Sequence, residues 1–418
     1  MLLILAGVTI SLLLDENGII KKSKDARREY GQAKANEQEQ MDNAEDWIDE
    51  AVTGKVTLAK VPVGTKASKN GTINGEEGNS NNPTIPKGYI PIDTATSTWG
   101  DGSTAPSQDS VDHGLVIKDE KNNEWVWIPV DKATLATMYE ESSDEKTLCG
   151  TTGATVVKTK LYSKTITIGT DTNKETMSRT TTGLTGYREP DLVVSGSSYD
   201  ARTEYYNTIL GFESKEKMAE AFVADYNEMI ASISKYGGFY IGRYELSEAG
   251  VQKDKATLTN TNWYNLYKKC KELNASDKVE TRMIWGCQWD VTMNWLISSG
   301  AKTSNEVNKD SSSWGNYYNT SVKANDGTTE IKANGTLAKL NTGKTTFTMA
   351  NNIYDLAGNV CEWTQEAYGT NRRALRGGNY GCYGSDSPAS HRYDGSPVSS
   401  GSDSVRFSSN FNNKVIRV

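Results

Sequence analysis

Residues 351–378 read NNIYDLAGNVCEWTQEAYGTNRRALRGG, and the tract that follows them to the end of the chain is chemically different. From Gly377 to Asn413 there is no Lys, Glu, Gln, Met or Trp. Those five types make up about a fifth of the chain, so roughly eight would be expected in a segment of this length. What remains is mostly small, hydroxyl, amide and aromatic. Tyr, Ser, Asn, Gly and Asp on a loop-rich surface suit adaptable recognition, because Tyr offers large contact area at low entropic cost and Ser or Asn offer flexible hydrogen bonds. The same composition also suits an ordinary Gly/Ser-rich loop.

The chain has 418 residues, a hydrophobic fraction of 36% and a mean hydropathy of -0.62, enough for one sizeable core plus much polar connecting material. A net charge of -7 and a pI near 5.3, with no long Lys/Arg run, argue against a nucleic-acid partner. The five cysteines, Cys149, Cys270, Cys287, Cys361 and Cys382, are scattered and contain no C-x-x-C pair, so neither a disulfide scaffold nor a structural zinc site is signalled. Two histidines, His113 and His391, exclude a three-His metal site.

Upstream, Met1 to Leu14 is an apolar run of 14 residues, shorter than the roughly 20 a helix needs to cross a bilayer. It lacks the basic n-region and cleavage site of a secretory signal. A charged helical stretch follows, so residues 1–53 read as an N-terminal hydrophobic and charged helix. Residues 54–111 read as a polar linker, densest in Gly, Ser, Thr, Asn and Pro from Gly64 to Ser110. The main domain then spans 112–418, with the biased tract at 377–413.

Within that domain LVIKDEKNNEWVWIPV reads as a hairpin, with Trp125 and Trp127 on one face of its second strand and Val126 and Ile128 on the other. Met218, Phe222, Met229 and Ile233 mark a helix over Ser214 to Tyr236, ended by Gly237 and Gly238. GFYIGRYELS is a strand. Trp263, Leu266, Tyr267, Cys270 and Leu273 mark a second helix, with Cys270 on its core stripe, and TRMIWGCQWDVTMNWLISSG suggests a third.

The ordered succession WVWIPV, GGFYIGRYE, NWYNLYKKCKELN, RMIWGCQWD, SWGNYYN, NIYDLAGNVCEW and RALRGGNY resembles the formylglycine-generating enzyme (sulfatase-modifying factor) type of C-type lectin fold over residues 112–418. The fold class implied is α+β, irregular, with short strands and a few helices. The N-terminal helix resembles that of pilin-like surface proteins, although their longer apolar segment, basic leader and processing site are missing here. That resemblance implies a cell-surface or extracellular location, with the membrane or cell envelope engaged through the N-terminus.

In the enzymes of this family two cysteines five residues apart carry the redox chemistry and a copper ion. Cys382 falls on the first position and Ser387 on the second, so no copper is expected and a non-catalytic role is favoured; Cys361 is expected in a buried strand. The resemblance also implies calcium held by Asp355, Gly358, Val360 and Glu362, a set of hard oxygen donors. A plain turn, with Asp355 capping backbone amides and Gly358 left-handed, is the alternative. The tract after RGG resembles the variable region of retroelement-diversified proteins, in which mutagenesis at adenines gives codons that cannot encode the five absent residue types. Pro388 to Ser390, Arg392 and Val405 to Phe407 then belong to fixed scaffold. The expected ligand-binding residues are Asn379, Tyr380, Tyr383, Asp386, His391, Tyr393 and Asp394, facing a protein or glycan on another surface. An oxidase acting on cysteine-containing peptides and a pilus-like structural subunit are the alternative functions.

Overall fold

The computed structural model describes residues 113–169, 186–195, 198–273 and 279–399, with short pieces at 66–67, 73–74, 80, 83, 85–86, 89–92, 179, 411–412 and 415–416. The helix expected over 1–53, most of the linker expected over 54–111 and the scaffold positions Val405 to Phe407 lie outside the described residues. Gly64–Val418 forms one compact unit.

Three strands begin the main sheet: Tyr89–Pro91 (β1), Val116–Asp119 (β2) and Glu124–Pro129 (β3). β1 comes from the stretch read as linker, whose turn-forming composition hides a three-residue edge strand. β2 and β3 are the expected hairpin, closed by Asp119. Its Oδ1 accepts from the amides of Lys121 and Asn123 at 2.9 and 2.8 Å, and its Oδ2 accepts from Asn123 Nδ2 at 2.9 Å. Next come helix α1 (Lys132–Met138) and the hairpin strands β4 (Tyr139–Thr147) and β5 (Lys158–Ser163). The β4 sequence, YEESSDEKT, is largely solvent-facing and rich in residues depleted from strands, so it carries no strand signal of its own.

Helix α2 (Lys215–Tyr236) starts where Ser214 Oγ accepts from the Lys217 amide and stops at Gly237, which is left-handed with φ 76°. Strand β6 (Gly238–Gly242) follows, then helix α3 (Trp263–Glu272), capped by Asn262 Oδ1 accepting from the Asn265 amide at 3.0 Å. The third expected helix begins later than its apolar pattern suggests. Arg282–Met283 is strand β7, and helix α4 runs Gly286–Ser298. A short helix α5 (Ser304–Asn308) has a reciprocal cap between Thr303 and Glu306.

The main sheet is antiparallel in the order β7, a strand at Val415–Ile416, β6, β3, β2, β1. Its strands alternate between two cores: Ile117, Trp125, Trp127 and Tyr240 enter one, while Val116, Val126, Ile128, Phe239 and Ile241 enter the other. The two faces expected for β3 are therefore both buried. Helix α2 serves both cores, Met218 and Phe222 in the first, Met229 and Ile233 in the second. Each fully buried side chain of this kind contributes about 1.5–3 kcal/mol.

The second sheet holds the 351–378 stretch. Strands β8 (Cys361–Tyr368) and β9 (Arg372–Arg376) pair antiparallel, and β10 (Arg392–Gly395) closes one edge against β9. Phe411–Asn412 runs parallel to β8 on the other side, and Tyr187–Arg188 also pairs with β8. The described residues thus form a mixed α+β fold with few helices and short, mostly antiparallel strands.

Candidate functional site

The turn that leaves β9 explains the two glycines after Arg376. Gly377 and Gly378 have φ of 84° and 72°, where a side chain is strained. A Cβ on Gly377 would lie 2.8 Å from both Glu362 Oε2 and the Leu356 carbonyl, and one on Gly378 would lie 2.5 Å from the Ser387 carbonyl. The turn therefore packs backbone against backbone and launches the chain toward Asn379.

From there the backbone is pinned to its neighbours. The Tyr380 amide donates to the Asn359 carbonyl at 3.0 Å, and the Cys382 carbonyl accepts from the Tyr318 amide at 2.8 Å. The Gly384 amide donates to Asn319 Oδ1 at 3.0 Å, and the Ala389 amide to Ser311 Oγ at 2.9 Å. Trp289 Nε1 of α4 donates to the Ala389 carbonyl at 3.1 Å. Pro388, Ala389 and Ser390 are buried, as expected for scaffold.

Beneath this loop lies a buried group of charges. Asp290 of α4 accepts from Arg376, from Arg392 Nη2 at 2.6 Å and from Arg179 Nη2 at 2.9 Å. Glu366 of β8 pairs with Arg179 Nε at 2.6 Å and Arg392 Nε at 3.0 Å, and Glu189 lies 3.4 Å from Arg179. Arg179, Arg376 and Arg392 are thus matched by Glu189, Asp290 and Glu366. Burial alone would raise the Asp290 carboxyl, but Arg376, Arg392 and Arg179 outweigh it and hold it well below the usual carboxylate range. At Glu189 burial wins over Arg179 and the carboxyl is raised. Arg392, expected as a scaffold residue, is the one that ties β10 to this network.

Along β10 side chains alternate, so Arg392 points inward while Tyr393 is 48% exposed. His391, half-buried, stacks on Tyr393 with ring centroids 6.3 Å apart and planes at 18°. Asp394 pairs with Arg372 at 2.9 Å across the β9–β10 register. On the loop, Tyr383 is 38% exposed and meets Tyr318 edge-on at 5.6 Å, and Asp386 is exposed. Tyr380 is half-buried.

Asn379, among the expected binding residues, is committed to internal bonds. Its Oδ1 accepts from the Gly381 amide at 2.8 Å and from Cys382 Sγ at 3.6 Å, and its Nδ2 donates to Cys361 Sγ at 3.6 Å. Sequence reasoning missed Tyr318 as part of this surface; its signal was the aromatic pair in SWGNYYN.

The residues expected to hold calcium occupy the turn before β8. Asp355, at φ 57°, accepts through Oδ2 from the Gly343 amide at 2.8 Å and Thr342 Oγ1 at 3.0 Å. Gly358 has φ 72°, and its amide donates to the Gly377 carbonyl at 2.8 Å. The Val360 amide donates to Glu245 Oε1 at 3.3 Å, and Glu362 is fully buried beside Gly377. Asp355 thus caps a backbone amide in the manner of the turn alternative. Among the described residues no group of three or more His, Cys, Asp or Glu side chains is placed to hold a metal. Cys361 opens β8 and is buried, as expected.

Fold and site together define a mixed α+β protein that presents one exposed tyrosine on a loop and another on the strand after it, over a charge-paired scaffold. No protein-family model matches the chain, and no curated protein does. Among solved structures the chain is similar to Treponema denticola variable protein 1, at 14% identity over 44% of this chain and 88% of that one, with a TM-score of 0.27.

Proposed function

We propose that this chain is a non-catalytic ligand-binding protein of the cell surface, built on a C-type lectin fold of the formylglycine-generating enzyme type, with residues 379–394 as its binding face. The observation that carries the reading is the exposure of Tyr383 and Tyr393 on a backbone fixed by buried partners. Rigid aromatic anchors beside adaptable polar groups bind with little entropic loss. Tyr380, Tyr383 and Tyr393 supply the anchors; Asp386 and His391 border them, Asn379 holds the loop in shape and Asp394 ties β10 to β9. The partner is a protein or glycan on another surface, and the N-terminal hydrophobic segment attaches the chain to the cell envelope.

Two further elements belong to the same proposal. The tract 377–413 is diversified by retroelement mutagenesis at adenines, and Asp355, Gly358, Val360 and Glu362 would hold a calcium ion. A near-copy of the DNA encoding Gly377 to Asn413 that differs only at adenines, beside a reverse transcriptase gene, supports diversification; the absence of both contradicts it. Calcium is tested by thermal unfolding in excess Ca²⁺ against a chelator: a raised midpoint supports the site and coincident curves refute it.

The binding face is tested by selecting ligands from a displayed peptide library and a glycan array, then mapping each by hydrogen exchange. Protection centred on 379–394 supports the assignment. Binders that protect only other surfaces overturn it.

A further inference from the structure

Two of the five cysteines come together at one side chain. β8 begins with Cys361, and the loop after Gly378 carries Cys382, 21 positions later. The Tyr380 amide donates to the Asn359 carbonyl and the Cys382 amide donates to the Asn379 carbonyl, so a turn over 379–382 sits against the chain just before β8. The amide of Asn379 touches both thiols, its Nδ2 on Cys361 Sγ and its Oδ1 on Cys382 Sγ, each at 3.6 Å. Both cysteines are free, Cys361 buried and Cys382 half-buried. Neither thiol is needed by the proposed binding face, and this pairing stands whatever that face binds.

We propose that Cys361 and Cys382 form a modification site that closes to an intramolecular disulfide when a small-molecule disulfide oxidant is present, locking the 379–382 turn onto β8. The more accessible thiolate of Cys382 attacks one sulfur of the oxidant, forming a mixed disulfide and releasing one small thiol. Cys361 then loses its proton and attacks the Cys382 sulfur, and the second small thiol leaves. Two protein thiols are oxidised and one small disulfide is reduced to two thiols. Asn379 must swing aside and gives up its two weak sulfur contacts. Burial and the neighbouring Cys382 push the Cys361 thiol well up, so the second step is slow at neutral pH and speeds up as pH rises.

The test treats the full-length folded chain with oxidised glutathione, blocks remaining thiols, and digests it without reduction. The proposal predicts one linked peptide pair, Cys361 with Cys382, in a product of monomer mass. After unfolding, the thiol count falls from five to three, because two of the five are joined. The Cys361→Ala variant should instead stop at glutathione on Cys382. A wild-type chain that also stops there, or that keeps five thiols under conditions oxidising a control dithiol, overturns the proposal.

Discussion

Gly378 and Gly327 share a φ of 72° but differ in surroundings: a Cβ on Gly378 would meet the Ser387 carbonyl at 2.5 Å, and one on Gly327 meets nothing within 4 Å. Alanine at either site costs about 1–2 kcal/mol for the left-handed backbone. Only Gly378→Ala adds a clash with main chain, so it should destabilise by clearly more than Gly327→Ala in urea unfolding. Equal losses would mean that the loop is not packed as described. Asn379→Ala removes a bond to the Gly381 amide and should cost about 0.5–1.5 kcal/mol. The residue scale is also where the sequence was least informative. Arg179 lies in a Thr-rich stretch with no local pattern, and its partner Glu366 is 187 positions away. Such pairings leave no periodic trace, and neither did the inward turn of Asn379.

At the scale of elements, legibility followed periodicity and punctuation. β3 was readable because its tryptophans alternate with Val126 and Ile128, and α2 because its apolar stripe sits between a Ser cap and a Gly stop. The β4–β5 hairpin was not readable, since its outer residues face water and carry no hydrophobic alternation. β10 is an edge strand anchored by one inward arginine, so Arg392→Met should leave Asp290 and Glu366 short of a partner and destabilise by about 3–5 kcal/mol. The same substitution should loosen the stacked His391–Tyr393 pair, read as faster hydrogen exchange along β10. Unchanged stability would show that the remaining arginines suffice.

For the molecule as a whole, pH provides an independent check on packing. Lys332 is buried, and its Nζ donates to the carbonyls of Tyr317 and Thr320 at 2.6 and 2.8 Å. Burial, against the weaker pull of Glu330, lowers its pKa from 10.5 to about 8. Between those values the unfolded chain binds more protons at this site, so stability rises with pH there and the penalty is constant below pH 8. Lys332→Met should flatten that rise relative to the parent chain. The binding face poses the larger question, and its two exposed tyrosines stand on separate elements, Tyr383 on the loop and Tyr393 on β10. The most direct measurement is the affinity of a selected ligand for the chain carrying Tyr380→Ala, Tyr383→Ala and Tyr393→Ala together, with unfolding monitored in parallel. Loss of about 2 kcal/mol or more, roughly thirtyfold in affinity, with the fold intact is the predicted result. Unchanged affinity in a folded triple variant would contradict the account.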